Sequence, residues 1–254
     1  MKKLHKNIII SIIFLTISIA LGYVYLRKQN KLLDSNKIDN SETTKSTDTI
    51  NDSSNISLLD TIKDITIDNS NSTIPLSSDI VIYNSHPDEE YEFGVKVTDL
   101  GALINHKLNT EGLNSSFISS RSNIEYLNSY KISNESITQN VSGYENAILL
   151  DIHRSNSGSF ESNPEMITFV LAKDNQHFEE NNKFAEQLIN EILKSDKVKA
   201  SIYYYDVTSE YLKLNQELSN NSLQVEIGTD KSDDNYIQEC VDVLVSSLKN
   251  IKST

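Results

Sequence analysis

Hydrophobic and polar positions divide the chain into three stretches. Ile8–Leu26 (IIISIIFLTISIALGYVYL) is a run of 19 residues without a charge, preceded by the basic Met1–Lys6 (MKKLHK). A run of that length crosses a hydrocarbon core of about 30 Å as a helix, so residues 1–27 are predicted to be a transmembrane anchor. A cleaved signal peptide is the competing reading. Its apolar region is usually shorter and ends at small residues, whereas Gly22 here is followed by Tyr23-Val24-Tyr25. Arg27, Lys28 and Lys31 offset Lys2, Lys3 and Lys6, so flanking charge alone does not orient the helix. The short N-terminal tail and the long acidic remainder favour the C-terminal part outside the cytoplasm. Residues 28–77 are rich in Ser, Asn, Asp and Thr, with no sustained apolar period, and are expected to be a flexible, disordered linker. A weak apolar patch within them, Leu58–Ile67, fits either a helix or a strand.

From Ser78 onward apolar runs alternate with helical periods. Asp79–Tyr83 (DIVIY), Ala147–Leu150 within Asn146–Arg154 (NAILLDIHR), Met166–Leu171 (MITFVL), Ala200–Tyr205 and Leu223–Ile227 (LQVEI) read as strands, with a short one at Ser115–Ser119. Val97, Leu100, Leu103, Ile104 and Leu108 follow a helical period that ends at Gly112, as a helix cap does. Phe178–Lys194 is amphipathic, with Ala185, Leu188, Ile189 and Ile192 inward. Asp233–Ile251 places Ile237, Cys240, Val241, Leu244 and Leu248 on one face. Ser120–Tyr130 and Ser209–Leu218 are expected to be helical, and Lys131–Tyr144 a loop. The pattern predicts an α/β fold: one three-layer sandwich domain over residues 78–254, with a mostly parallel sheet and helices on both faces.

Composition narrows the function. A net charge of −13 excludes a nucleic-acid partner, because phosphate binding needs a basic surface. The single cysteine, Cys240, excludes an intrachain disulfide and a Cys-based metal cage, and its place on the last helix makes it a core residue. Any metal site must come from His and carboxylates.

Those residues cluster at predicted strand ends, where open α/β sheets gather ligands. The first strand runs into Asn84-Ser85-His86-Pro87-Asp88-Glu89, the second ends in Asp151-Ile152-His153-Arg154, and the last carries Glu226 before Gly228. A hydrolytic zinc takes three protein ligands from His and Glu and keeps one position open. It also brings the pKa of its water to roughly 7. His86 and Glu89, three apart, lie on one side of a turn whose start Pro87 fixes, and His153 arrives from a neighbouring strand. Glu226 is then the candidate to take a proton from water and pass it to a leaving amine. Asp151, on the same side of its strand as His153, is the candidate hydrogen-bond acceptor behind that imidazole. Plainer readings stand beside these: an exposed His-x-x-Glu pair, a hydrogen-bonded strand-end His, and an ion-paired Glu226. Where Lys outnumbers Arg 20 to 3, Arg154 and Arg121 are candidates for two-pronged carboxylate binding, against a structural ion pair.

The ordered set IYNSHPDEEY, SSRSNIEYL, DIHR, TFVLAKDN, ENNKFA, LNQEL and SLQVEIG resembles the stage II sporulation protein P family. That family belongs among the zinc-dependent N-acetylmuramoyl-L-alanine amidases of endospore-forming bacteria. The resemblance implies His86, Glu89 and His153 as zinc ligands, Glu226 as the catalytic carboxylate and Asn215, in LNQEL, as lining the substrate cleft. The plainer reading of Asn215 is a solvated helix residue. It also implies an N-terminal anchor, a peptidoglycan substrate, cleavage of the muramic acid–L-alanine amide and of stem-peptide cross-links during engulfment, and the stage II sporulation proteins D and M as partners. Two positions depart: Asn84 stands where the family usually has a second His, and Ser155 where it has an Asp. They keep a rival open, a non-catalytic peptidoglycan-binding or scaffold protein. A second rival keeps the zinc and acts chiefly as a stem-peptide peptidase.

Overall fold

The computed structural model describes residues 57–63, 65, 76–119, 122, 125–158, 163–206 and 213–253. The expected membrane anchor and most of the expected linker lie outside them. Among the described residues no helix is long and apolar enough to cross a membrane.

Six strands form one sheet: β1 (Ile80–Tyr83), β2 (Ser115–Ile118), β3 (Ile148–Ser155), β4 (Ile167–Ala172), β5 (Ala200–Tyr205) and β6 (Asn221–Thr229). Their spatial order is β2-β1-β3-β6-β4-β5. The first four run parallel, β4 pairs antiparallel to β6, and β5 runs parallel to β4. The four residues of β1 are all buried, as are the first six of β3, which is why these strands read as unbroken apolar runs rather than alternating ones.

Helices α2 (Val97–Thr110), α4 (Phe178–Ile192) and α5 (Asp234–Lys252) cover one face. Their inward stripes are the ones the periodicity marks: Val97, Leu100, Ile104 and Leu108 on α2, and Ile237, Cys240, Val241, Leu244 and Leu248 on α5, are shut off from solvent. They meet Ile80, Ile82, Leu150, Ile152, Phe169, Val225 and Ile227 in the main core. Each Leu or Ile so buried contributes about 1.5–3 kcal/mol. Gly112, at φ +82°, terminates the turn after α2 in the left-handed conformation that glycine enters freely. Asp233 caps α5 by accepting from the Asn235 N–H.

The opposite face is thinner. Helix α3 (Tyr126–Asn140) lies there with Ile137 and Val141 against Val81, Tyr83 and Leu149, and Tyr130 beside Val170, Ala172 and Leu214. This helix corrects the sequence reading, which ended it at Tyr130 and made Lys131–Tyr144 a loop. Its inward positions 129, 130, 133 and 137 keep helical spacing, but two of them are serines. Ser129 and Ser133 are buried over a polar part of the sheet, so an apolar period never shows. A second correction falls on Ser209–Leu218: residues 213–218 form turns, with Leu214 and Asn215 at φ +56° and +57°. Helix α1 (Leu58–Lys63) lies inside the stretch expected to be linker. Its Leu58, 1% exposed, joins the main core where α1 meets α2 and α5. Leu76 then bridges to Val141.

Candidate metal centre

The chain leaves β1 for β2 on one side and β3 for β4 on the other, so the connections part between β1 and β3. Sheets of this type open a crevice at such a point, outside the carboxyl ends of the strands. His86 lies in the turn after β1 and His153 at the end of β3. Glu89 follows His86 by one tight turn, closed by the Glu89 N–H donating to the His86 carbonyl at 3.2 Å. Ligand atoms of His86, Glu89 and His153 lie within 4.8 Å of one another. His153 Nδ1 is 3.3 Å from Glu89 Oε2, and His86 Nδ1 is 3.9 Å from Glu89 Oε1. The two imidazoles stand nearly perpendicular, with ring centres 5.1 Å apart. The expected ligands are therefore brought together by the fold.

The far side of His153 is fixed by buried groups. Its Nε2 is 3.1 Å from Asp151 Oδ1 and 3.0 Å from Ser85 Oγ, while the Ser85 N–H donates to the same Asp151 oxygen at 2.8 Å. Nδ1 is thus the nitrogen turned toward Glu89, and Asp151 holds the place expected of it. Burial opposes charge on His153, but the flanking Asp151 and Glu89 carboxylates outweigh it and hold its pKa well above the ordinary imidazole value. Burial likewise pushes Glu89 up, yet His153, the Arg154 N–H at 3.1 Å and His86 bring it below the usual carboxylate range. A cluster that draws a proton this strongly suits a cation.

Glu226 is the direct neighbour of His153 across the β3–β6 ladder. Because side chains alternate along strands and Val225 and Ile227 enter the main core, Glu226 shares the His153 face. It is half-buried there, unlike the fully buried Val225 and Ile227 on either side.

The other expected residues are placed as follows. Arg154 donates from Nε to the Glu90 carbonyl at 2.7 Å and from Nη1 to the Ser155 carbonyl at 3.1 Å. Main-chain oxygens, not a carboxylate, thus hold it beside a cavity of about 280 Å³ shared with His86, Pro87 and Glu89. Arg121 lies outside the described residues. Asn215 is 4% exposed and not helical, which corrects its reading as a solvated helix residue. Its Nδ2 donates to Ser133 Oγ at 2.8 Å. Asn84 turns away from the cluster, donating to the Ile152 carbonyl at 2.7 Å and the Val97 carbonyl at 3.1 Å. It ties β1 to β3 and to the start of α2.

Three residues of the site escape sequence reasoning. Ser85 and Gln224 are buried polar residues on or beside strands, and Tyr130 comes from α3. Tyr130 packs edge-on against His86 with ring centres 5.0 Å apart and donates to Gln224 Oε1 at 3.0 Å. The available signal was parity: Gln224 stands two residues before Glu226, on its face.

Fold and site together define an α/β protein with a His/Glu/His cluster that could hold a metal ion at the carboxyl ends of a mostly parallel sheet. The chain belongs to the stage II sporulation protein P family, whose model matches residues 24–248, so the resemblance carried by the sequence motifs is membership. No curated protein matches it. Among solved structures it is similar to the N-acetylmuramoyl-L-alanine amidase AmiC2 of Nostoc punctiforme, at 14% identity and TM-score 0.44 over 70% of this chain and 98% of that one. It is also similar to the CwlD amidase from Clostridioides difficile in complex with the GerS lipoprotein, at 15% identity and TM-score 0.39 over 69% and 98%.

Proposed function

We propose that the protein is a membrane-anchored zinc hydrolase acting on peptidoglycan outside the cytoplasm during sporulation, cutting the amide between N-acetylmuramic acid and L-alanine. The observation that carries this reading is the convergence of His86, Glu89 and His153 beside Glu226. Two imidazoles and one carboxylate match the donor set and count of a catalytic zinc. Zinc held there would polarise the scissile carbonyl and activate water.

The chain's own groups supply the rest. Asp151 and Ser85 orient His153. Glu226, on the same sheet face, takes the proton of the attacking water and delivers it to the departing L-alanine nitrogen. Arg154, fixed by two carbonyls, sits where a stem-peptide carboxylate meets a positive charge. Family membership supports the sporulation setting. Cleavage of stem-peptide cross-links, and work alongside stage II sporulation proteins D and M, belong to the same proposal. Asn84 gives the scaffold reading little support, because its side chain is engaged in holding strands together rather than standing in for a lost ligand.

The test is digestion of purified sacculi by the full-length chain in detergent, with Glu226→Gln beside it. The variant is expected to keep about one zinc per chain and lose on the order of 100-fold or more in rate. Released fragments should carry free lactyl ends, and chelator should abolish them. A wild-type protein that holds no zinc and releases nothing returns the scaffold reading. Cut cross-links without lactyl ends make it a peptidase.

A further inference from the structure

We infer that the sheet face beside Glu226 is a subsite for the glycan strand, running from the catalytic carboxylate out to the edge strand β5. The strand registers line up one row across four strands. His153 pairs with Glu226, Glu226 with Thr168, and Thr168 with Ser201. All four point to the face opposite the main core, since Phe169, Leu171 and Ile202 alternate with them into that core. Solvent reaches the interior strands where this row crosses them. Thr168 is the only residue of β4 that is not buried, and Glu226 the only one of β6 between Ser222 and Thr229. The row ends beside Tyr203, 37% exposed on the same face of β5. With strands about 4.8 Å apart, the strip extends roughly 10 Å from Glu226 to β5.

Its chemistry selects the occupant. Beyond Glu226 the strip presents hydroxyls from Thr168 and Ser201 and an aromatic ring from Tyr203, in a chain whose net charge is −13; the Lys199 charge that precedes Ser201 on this face is paired with Glu165 at 3.7 Å. The Ser201 hydroxyl donates to the Met166 sulfur at 2.8 Å, which leaves its oxygen able to accept. Hydroxyls beside an amphipathic ring suit a neutral sugar, which offers both hydrogen-bonding groups and an apolar ring face. Arg154 lies on the other side of the cluster, beside the cavity shared with His86, Pro87 and Glu89, where an anionic stem peptide is better placed. The structure thus assigns the two arms of a muramyl-peptide opposite directions from Glu226: sugar toward β5, peptide toward the turn after β1. This orientation rests on the amidase reading; the sugar site itself does not.

The experiment titrates the full-length chain in detergent with an uncharged oligomer of N-acetylglucosamine, by calorimetry, with and without zinc. Tyr203→Ala is expected to weaken binding by about tenfold, the size of one lost aromatic contact. Tyr203→Phe, which keeps the ring, and Arg154→Ala are expected to bind as wild type. In turnover, Tyr203→Ala should raise KM for polymeric glycan strands with kcat unchanged, and leave a muramoyl-peptide with a single sugar ring, too short to reach β5, unaffected. Glycan binding that ignores Tyr203→Ala, or no glycan binding by wild type, overturns the subsite. Tyr203-dependent glycan binding by a chain that cuts nothing keeps the subsite and removes the amidase reading instead.

Discussion

Removing one hydroxyl, in Ser85→Ala, is expected to lower zinc affinity by about 10–100-fold, the usual cost of losing a group that orients a metal-binding histidine. Ser85 Oγ and Asp151 Oδ1 both hold His153 Nε2, and without the serine the ring is left to one partner. Chelator competition measures the loss, and Ser85→Thr, which restores the oxygen, should recover most of it. An affinity unmoved by Ser85→Ala would show that Asp151 alone sets the ring. Cys240 gives the opposite expectation. Burial pushes its thiol up to about 12, so below that pH it stays protonated and enclosed. It should resist an aromatic disulfide reagent at pH 8 until the chain is unfolded, and rapid labelling of the native protein would contradict its place in the core. At this scale, His86 and His153 were legible because histidine is scarce, five in the chain, and both stand at predicted strand ends; Glu89 and Glu226 were legible only by their places, three residues after His86 and at the end of another strand. Ser85 and Tyr130 were not. Ser85 meets His153 across 68 positions and Tyr130 meets Gln224 across 94, and serine and tyrosine are common enough to carry no signal alone.

Helices with apolar stripes were legible for the same reason they are stable. α2 and α5 bury the positions their spacing marks, and Asp233 and Gly112 punctuate them. α3 was half legible, because Ser129 and Ser133 occupy two of its inward positions where it covers Asn215 and the polar end of β6. α1 was the element least visible, a single turn and a half inside a polar stretch. Its one deeply buried side chain nevertheless makes a definite claim. Leu58→Ala is expected to destabilise the fold by about 2–5 kcal/mol, the range for deleting a buried leucine. A chain cut to begin at Ser78 should unfold at lower denaturant than one beginning at Ser54, the start of the compact unit. Equal midpoints for the two fragments would mean that α1 adds nothing and that the polar stretch is linker throughout.

Across the molecule, the candidate centre joins the ends of two strands, β1 and β3, that the sheet already pairs. His86 and Glu89 come from the turn after β1, and His153 from the end of β3, with the parting of the connections between them. The order β2-β1-β3-β6-β4-β5 itself was not legible, because apolar runs say that strands exist and not which neighbours they choose. The antiparallel insertion of β4 beside β6 is set by long-range pairing. Joining those strand ends through one ion links metal binding to global stability. A ligand present at 1,000 times its Kd stabilises the folded state by about 4.1 kcal/mol, and a domain of this size gains about 2–4 °C in Tm per kcal/mol. Saturating zinc should therefore raise Tm by on the order of 10 °C. His153→Ala should lose that shift, and Glu226→Gln, which removes no ligand, should keep it. Loss of the shift in Glu226→Gln would move Glu226 from proton carrier to ligand. Its persistence in His153→Ala would place the ion somewhere other than beside Glu89.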